Sequence, residues 1–128
     1  MDYGYRRQVK LSMEDAIEKV TASLQENGFG VLCDIDVKAT LKNKLDVEVR
    51  PYKILGACNP PLAHQALSAE PDVGLLMPCN VVVYEDAEGQ TQVACVNVEK
   101  LLGVVGRPEL ADIAADVNAR LRAAVDAL

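Results

Sequence analysis

The fold of this chain is decided by residues 81–98, which read VVVYEDAEGQTQVACVNV. Val81 to Tyr84 and Gln92 to Val98 are both rich in valine, a β-branched residue that favours extended strands. Between the two runs, residues 86–89 (Asp-Ala-Glu-Gly) have the composition of a tight turn. The stretch therefore predicts a β-hairpin, which indicates that the chain forms an antiparallel sheet.

Three further strands are predicted upstream of this hairpin. They are Tyr3 to Val9, Phe29 to Asp36 and Val47 to Leu55. Pro51 lies within the third run and cannot donate a hydrogen bond to a neighbouring strand. Its presence predicts that this strand forms an edge of the sheet or contains a bulge.

Helices are predicted between and after these strands. A helix capped by Ser12 ends at Asn27-Gly28. Its apolar residues recur every three or four positions: Met13, Ala16, Ile17, Val20 and Leu24. Shorter helices are predicted over Val37 to Leu45 and over Pro60 to Ala69. A final helix opens at Pro108 and is about 20 residues, or roughly 30 Å, long.

These elements predict a two-layer α+β domain of the order β-α-β(4)-α, in which a mostly antiparallel sheet packs on the long C-terminal helix. Gly74 to Met77 and Gly103 to Gly106 are predicted to be connectors. The length of 128 residues is that of one domain, which we expect to span residues 1–128. Half of the residues are hydrophobic but only 4% are aromatic, so the predicted core is aliphatic.

The net charge of −6 indicates that this chain does not bind polyanions such as nucleic acids or anionic membranes. Nucleic-acid binding requires a basic stripe that displaces counterions from phosphates, and an anionic membrane surface attracts basic segments in the same way. No apolar run approaches the ~18 residues of a membrane span, and the N-terminal residues do not form a signal peptide. We therefore expect a cytoplasmic protein, whose four cysteines are reduced thiols.

Three segments resemble one protein family, and the resemblance covers essentially the whole chain. They are DIDVKATLK at residues 34–42, RPYKILGACNPPLAH at residues 50–64 and GLLMPCNVVVYE at residues 74–85. The family is a set of small bacterial and archaeal proteins known as the three-hundred-and-second domain of unknown function. The resemblance implies a fold like that of the TATA-binding protein and a homodimer, and it implies no activity. The likeness to that DNA-binding protein is one of fold, which does not transfer function.

The doublet Cys-Asn occurs twice, each time where an apolar run meets a proline. Cys58-Asn59 is followed by Pro60, and Cys79-Asn80 is preceded by Pro78. If the strands beside these doublets are antiparallel neighbours, as the family fold favours, both thiols lie at one edge of the sheet. A parallel crossover would place them at opposite ends.

His64, the only histidine, is predicted to lie on the helix that follows Cys58. Cys58, Cys79 and His64 could supply three ligands to a zinc or copper ion. The same residues could instead be a nucleophile, a resolving thiol and a base, with Cys58 as the candidate catalytic residue at a helix N-terminus. In the structural alternative, both thiols are small buried side chains and both asparagines serve caps and turns. Cys33 and Cys95 are predicted to pack in the core.

The sequence contains no catalytic signature, since it has neither a phosphate-binding loop nor a Gly-x-Ser-x-Gly elbow. Our interpretation is therefore a binding module rather than an enzyme: a homodimeric domain that holds a small ligand or metal ion in a cleft between sheet and long helix. Cys58, Asn59, Cys79 and Asn80 are predicted to line one end of that cleft. A thiol-dependent enzyme or redox protein that uses Cys58, and a structural domain with inert cysteines, are the alternatives.

Overall fold

Five strands form a single sheet in the computed structural model, which describes residues 1–128. The strands are β1 (Gly4–Val9), β2 (Gly30–Asp36), β3 (Tyr52–Cys58), β4 (Cys79–Glu85) and β5 (Thr91–Val96). Their order across the sheet is β1-β5-β4-β3-β2, and every neighbouring pair is antiparallel. This confirms the predicted α+β class and places β4 at the centre of the sheet.

Five α-helices and one 3₁₀ helix connect or follow these strands. They are α1 (Met13–Glu26), α2 (Val37–Leu45), α3 (Pro60–Ala69), the 3₁₀ helix (Pro71–Leu76), α4 (Val98–Gly103) and α5 (Glu109–Asp126). The first four α-helices begin at a side chain that accepts a backbone hydrogen bond: Ser12, Asp36, Asn59 and Asn97. None of the helices is both long and apolar enough to cross a membrane.

One face of the sheet is covered by helices and carries the hydrophobic core. Helices α1 and α5 contact the strands, and α3 packs on α5. Leu55, Val83 and Val93 project from the sheet into this core and are at most 1% exposed. Burial of an aliphatic side chain of this size contributes roughly 1.5–3 kcal/mol, so this layer supplies the main stabilisation of the fold.

The opposite face of the sheet is not covered by this helix layer; α2 contacts β3, and its Val37 and Leu41 share a groove with Tyr52 at one end of the sheet. We call this opposite face the open face; alternation along the strands assigns to it Gly4, Arg6, Gln8, Cys33, Ile35, Tyr52, Ile54, Gly56, Asn80, Val82, Tyr84, Gln92, Ala94 and Val96. Ile35 is 46% exposed, and Ile54 and Val82 are partly exposed. The domain therefore has two layers and one sheet surface that the helix layer leaves uncovered.

The third strand begins five residues later than predicted. Residues 47–51 are not part of the sheet, although the carbonyl of Pro51 accepts a hydrogen bond of 3.0 Å from the N–H of Glu85. The strand that follows lies between β4 and β2, so it is internal. Because proline is not tolerated inside a central strand, the strand can start only after Pro51, and the prediction of an edge or bulge at Pro51 was wrong.

A helix missed by the sequence patterns follows the last strand. Val98 was predicted to end that strand and residues 103–106 to form a connector, whereas α4 begins at Val98. The side chain of Asn97 accepts the N–H of Lys100 at 3.1 Å, and the N–H of Val98 donates to Oδ1 of Asn118 at 2.9 Å. These two side-chain bonds end the strand and start the helix, and one of them depends on a residue 20 positions away.

Candidate functional site

An apolar cavity of about 360 Å³ lies where β3 ends and β4 begins. We call it the cysteine cavity; its wall includes Cys33, Cys58 and Cys79, together with Ala63 of α3 and Val117 of α5. Of its nineteen lining residues seventeen are hydrophobic, and none carries a charge. The cavity therefore lies between the end of the sheet and the helices, including the long C-terminal one.

The antiparallel register of β3 and β4 brings Cys58 and Cys79 to this cavity. Ala57 is the direct partner of Cys79, so Cys58 lies one residue beyond the position opposite Cys79. Cys79 projects from the same face as Ala57, and Cys58 lies where the strand leaves the sheet. Both sulfur-bearing side chains are partly buried and line the same space.

Asn59 lines the cavity as well, and it also caps α3. Its Oδ1 accepts the N–H of Leu62 at 3.2 Å, and the residue is only 8% exposed. On its other side the amide lies against Gly28, where an added Cβ would be 2.9 Å from Nδ2. Gly28 has φ +88°, a left-handed conformation that glycine adopts without strain. The one amide in the wall of the cavity is thus fixed between two helix ends.

Cys79 is held as a neutral thiol. Burial, together with a smaller effect of the neighbouring Cys58, raises the pKa of Cys79 from the ordinary value of 9.0 to about 11. At neutral pH the fraction of thiolate at this position is therefore very small, and thiolate is the nucleophilic and metal-binding form. This environment gives Cys79 the character of a small apolar side chain.

Asn80 does not reach the cysteine cavity, contrary to the prediction. It is the direct partner of Gly56, is exposed, and lines a groove on the open face. The reason is the alternation of side chains along a strand: Cys79 points into the helix layer, so the next residue points away from it. The two members of the second doublet are therefore separated by the thickness of the sheet.

His64 is also directed away from the cavity. It is exposed, whereas Leu62, Ala63 and Ala66 of the same helix line the cavity wall. A helix turns by 3.6 residues, so positions 62, 63 and 66 share one face and position 64 lies on another. No group of three or more His, Cys, Asp or Glu side chains lies together in a way that could hold a metal ion. The structure therefore does not assemble the predicted trio of Cys58, Cys79 and His64.

Cys33 lines the cavity although it was predicted to pack in the core. It is exposed, because β2 is an edge strand whose pairing with β3 is shifted between Val31 and Cys33. Gly56 lies opposite Cys33, and a Cβ added there would overlap Sγ of Cys33 and lie 2.7 Å from Cγ of Pro78. The fourth cysteine, Cys95, is buried as predicted, with 2% exposure, and burial raises its pKa to about 11.

The remaining wall residues were not identified from the sequence. Leu62 and Ala66 of α3, and Ile113 and Val117 of α5, belong to apolar stripes whose helical spacing indicates burial. Such a stripe does not distinguish a side chain in tight packing from one that borders a cavity. The signal for the cavity is the position of the strand ends, which depends on pairing across the sheet.

Comparisons with known proteins agree on one family. The family model described as a domain of unknown function, DUF302, matches residues 5–128. The crystal structure of an uncharacterized conserved protein DUF302 from Bacillus stearothermophilus is 35% identical and has a TM-score of 0.92, with 98% of each chain covered. A search of curated proteins found no match. The further likeness to the TATA-binding protein stays a prediction. The chain belongs to the DUF302 family.

Proposed function

We propose that this protein is a binding module for a small apolar molecule, which it holds in the cysteine cavity. The observation that carries the proposal is the cavity itself: about 360 Å³ of space whose wall is almost entirely hydrophobic. Ligand sites are typically concave, mostly apolar and of roughly 300–1,000 Å³. The cavity meets each of these conditions.

The volume limits the size of the ligand. An apolar protein cavity of about 150 Å³ accommodates benzene. A space of about 360 Å³ therefore has room for a two-ring aromatic molecule or a short branched hydrocarbon chain. Larger ligands would extend past Leu32 and Leu67, which line the cavity and are 69% and 40% exposed.

The chemistry of the wall limits the charge of the ligand. No lysine, arginine, histidine or carboxylate lines the cavity, and Cys79 is a neutral thiol at physiological pH. Transfer of an ionised group into such surroundings without a partner is very unfavourable. The Oδ1 of Asn59 is already used by the cap of α3, so the part of the ligand inside the cavity is uncharged.

Binding of N-phenyl-1-naphthylamine, an uncharged dye that fluoresces in apolar surroundings, tests the proposal. We expect saturable binding with a dissociation constant of about 10⁻⁴ M or tighter. Ala63→Phe places a ring in the cavity from the face of α3 that lines it, and we expect it to weaken binding at least about tenfold. Ala119→Phe, at an exposed position of α5, is the matched control and is expected to bind like the wild type.

Two results would contradict the proposal. One is the absence of saturable binding to the folded wild type. The other is equal binding by wild type and Ala63→Phe, which would locate the dye elsewhere on the surface. Circular dichroism of each variant shows whether the fold is retained.

Thiol catalysis and metal binding are less well supported by the geometry. A nucleophilic cysteine is activated by a neighbouring base or a lowered pKa; the only histidine, His64, points away from Cys58, and the pKa of the second thiol, Cys79, is raised. A zinc site needs at least three protein ligands, and no three His, Cys, Asp or Glu side chains, Cys33, Cys58 and Cys79 included, are grouped so that they could hold a metal ion. Binding of a small molecule without catalysis is therefore the function that these residues support best.

A further inference from the structure

The composition of the open face differs from that of the rest of the surface. The chain has 19 acidic residues, yet none of the side chains on the open face is a carboxylate or a lysine. Its apolar members run across the sheet as Ile35, Ile54, Val82 and Ala94, which are consecutive direct partners in four strands. Depletion of Lys, Glu and Asp is the compositional mark of an interface core.

Tyrosines concentrate on the same surface. Tyr52 and Tyr84 are direct partners whose rings stack with centroids 5.2 Å apart, and Tyr3 borders the same groove. Three of the four tyrosines in the chain therefore lie on this side. Tyr and Arg are the residue types most enriched among the side chains that dominate binding energy between proteins.

The only charged side chain on this face is that of Arg6. Its Nη1 lies 3.4 Å from the hydroxyl of Tyr84, and it forms no ion pair, in contrast to Arg50, Arg107 and Arg120. Arg6 is exposed on the edge strand β1, so its guanidinium lies at the rim of a paired face and keeps contact with water, and a second copy brings no carboxylate or ammonium group to the centre. A highly acidic partner would find a single complementary charge here, that of Arg6, and a highly basic partner none, which favours a partner with the same apolar, tyrosine-rich surface.

The size of the face fits a self-associating domain. Strands of six or seven residues and a width of five strands give a flat footprint of roughly 20 by 24 Å. Side chains standing on it increase the accessible area towards the ~800 Å² per partner of a standard interface. Face-to-face packing of two sheets about 10 Å apart is a common arrangement, and it would bury Ile35, Ile54 and Val82 of both copies over Ala94, which is only 8% exposed in the single chain.

We infer that the open face is the interface of a homodimer, in which the sheets of two copies pack against each other. The interface is isologous, so each side chain of the face occurs twice in it. A charge introduced by one substitution on this face therefore occurs twice in the interface, once from each copy. This surface borders the cysteine cavity only at Cys33, which lies opposite Gly56 and also lines the cavity.

Sedimentation velocity of the wild type and three variants tests the assignment. Ile35→Glu and Tyr3→Glu place a carboxylate on the face at positions that are 46% and 72% exposed, so the fold tolerates them. Leu75→Glu is the matched control, since Leu75 is 86% exposed on the 3₁₀ helix. We expect a wild-type dimer, unchanged by Leu75→Glu, and a dissociation constant raised at least about tenfold by each face variant.

Tyrosine fluorescence on dilution locates the interface independently. The chain contains no tryptophan, and Tyr5 is the one tyrosine on the helix side of the sheet. We expect emission to change over the concentration range in which the dimer dissociates. A wild type that is monomeric at about 100 µM, or a dimer that both face variants leave intact, would overturn the assignment. So would a dimer that dissociates without a change in tyrosine emission.

Discussion

Cys58-Asn59 and Cys79-Asn80 are the same dipeptide at opposite ends of two neighbouring strands. The first closes β3 and opens α3, so its asparagine is buried and caps the helix. The second opens β4, so its asparagine is the exposed partner of Gly56 on the open face. The cysteines meet at one cavity while the asparagines lie on different sides of the sheet.

The comparison shows that position in a strand or helix, rather than residue type, decides which side chains converge. Antiparallel pairing brings the two strand ends together, and this alone accounts for the proximity of the cysteines. Alternation then separates Asn80 from Cys79, whereas the turn into α3 retains Asn59 beside the cavity. The following predictions test these differences, from the largest expected effect to the smallest.

Alkylation separates the buried cysteine of the second doublet from an ordinary thiol. With its pKa raised to about 11, Cys79 has roughly 100-fold less thiolate at pH 8 than a thiol of pKa 9.0. We expect iodoacetamide to modify Cys79 at least about 100-fold more slowly in the folded protein than in urea. Mass spectrometry of quenched peptides gives the rate, and equal rates in both states would show that Cys79 is neither buried nor perturbed.

Gly56→Ala tests the contact opposite Asn80. The new methyl group would overlap Sγ of Cys33 and crowd the ring of Pro78, and such overpacking costs typically about 1–3 kcal/mol. We expect the free energy of unfolding in urea to fall by about 2 kcal/mol. Gly30→Ala is the control, because no atom lies within 4 Å of its added Cβ. If Cys33→Ala in the Gly56→Ala background restores no stability, the close approach of Cys33 is not the cause.

The two asparagines differ in what they contribute to stability. Asn59→Ala removes the N-cap of α3, and we expect a loss of about 1–2 kcal/mol in the free energy of unfolding. Asn80→Ala changes an exposed side chain, and we expect a change within about 0.5 kcal/mol. Urea denaturation of both variants measures the difference. A loss for Asn80→Ala as large as that for Asn59→Ala would contradict the assignment of their roles.

The pKa of Cys79 predicts a loss of stability in alkaline solution. The folded state retains the proton up to about pH 11, whereas the unfolded thiol releases it near pH 9. Below pH 9 both states are protonated, so the loss begins there and grows towards pH 11. At pH 10 the deprotonation of Cys79 in the unfolded state lowers the free energy of unfolding by about 1 kcal/mol. We expect Cys79→Ala to lose less stability than the wild type between pH 8 and pH 10, and parallel losses would contradict the shift.

Local sequence signals were sufficient for the five strands, for four of the five α-helices and for their order. The turn at residues 86–89, the caps Ser12 and Asn59, and the helical stripe of α5 each depend on neighbours within a few residues. These signals left open whether the strands before and after α3 run in the same or in opposite directions; the family resemblance favoured opposite directions, which the structure confirms. The α+β class and the antiparallel sheet followed from these signals and the resemblance together.

The details of the cavity depend on contacts between distant residues. The strand predicted at Val81 begins at Cys79, because pairing with Ala57 extends it by two residues. The exposure of Cys33 results from a register shift in an edge strand, which no local pattern marks. His64 and Ala63 are adjacent in sequence, and only the packing of α3 decides which of them faces the cavity.

Crystals soaked with bromobenzene test the central claim most directly, since anomalous scattering locates the bromine. The account predicts a bromine peak inside the cysteine cavity, between Ala63 of α3 and Val117 of α5 and beside Cys58 and Cys79. Anomalous peaks that occur only outside that cavity, or none at all in well-diffracting soaked crystals, would contradict it.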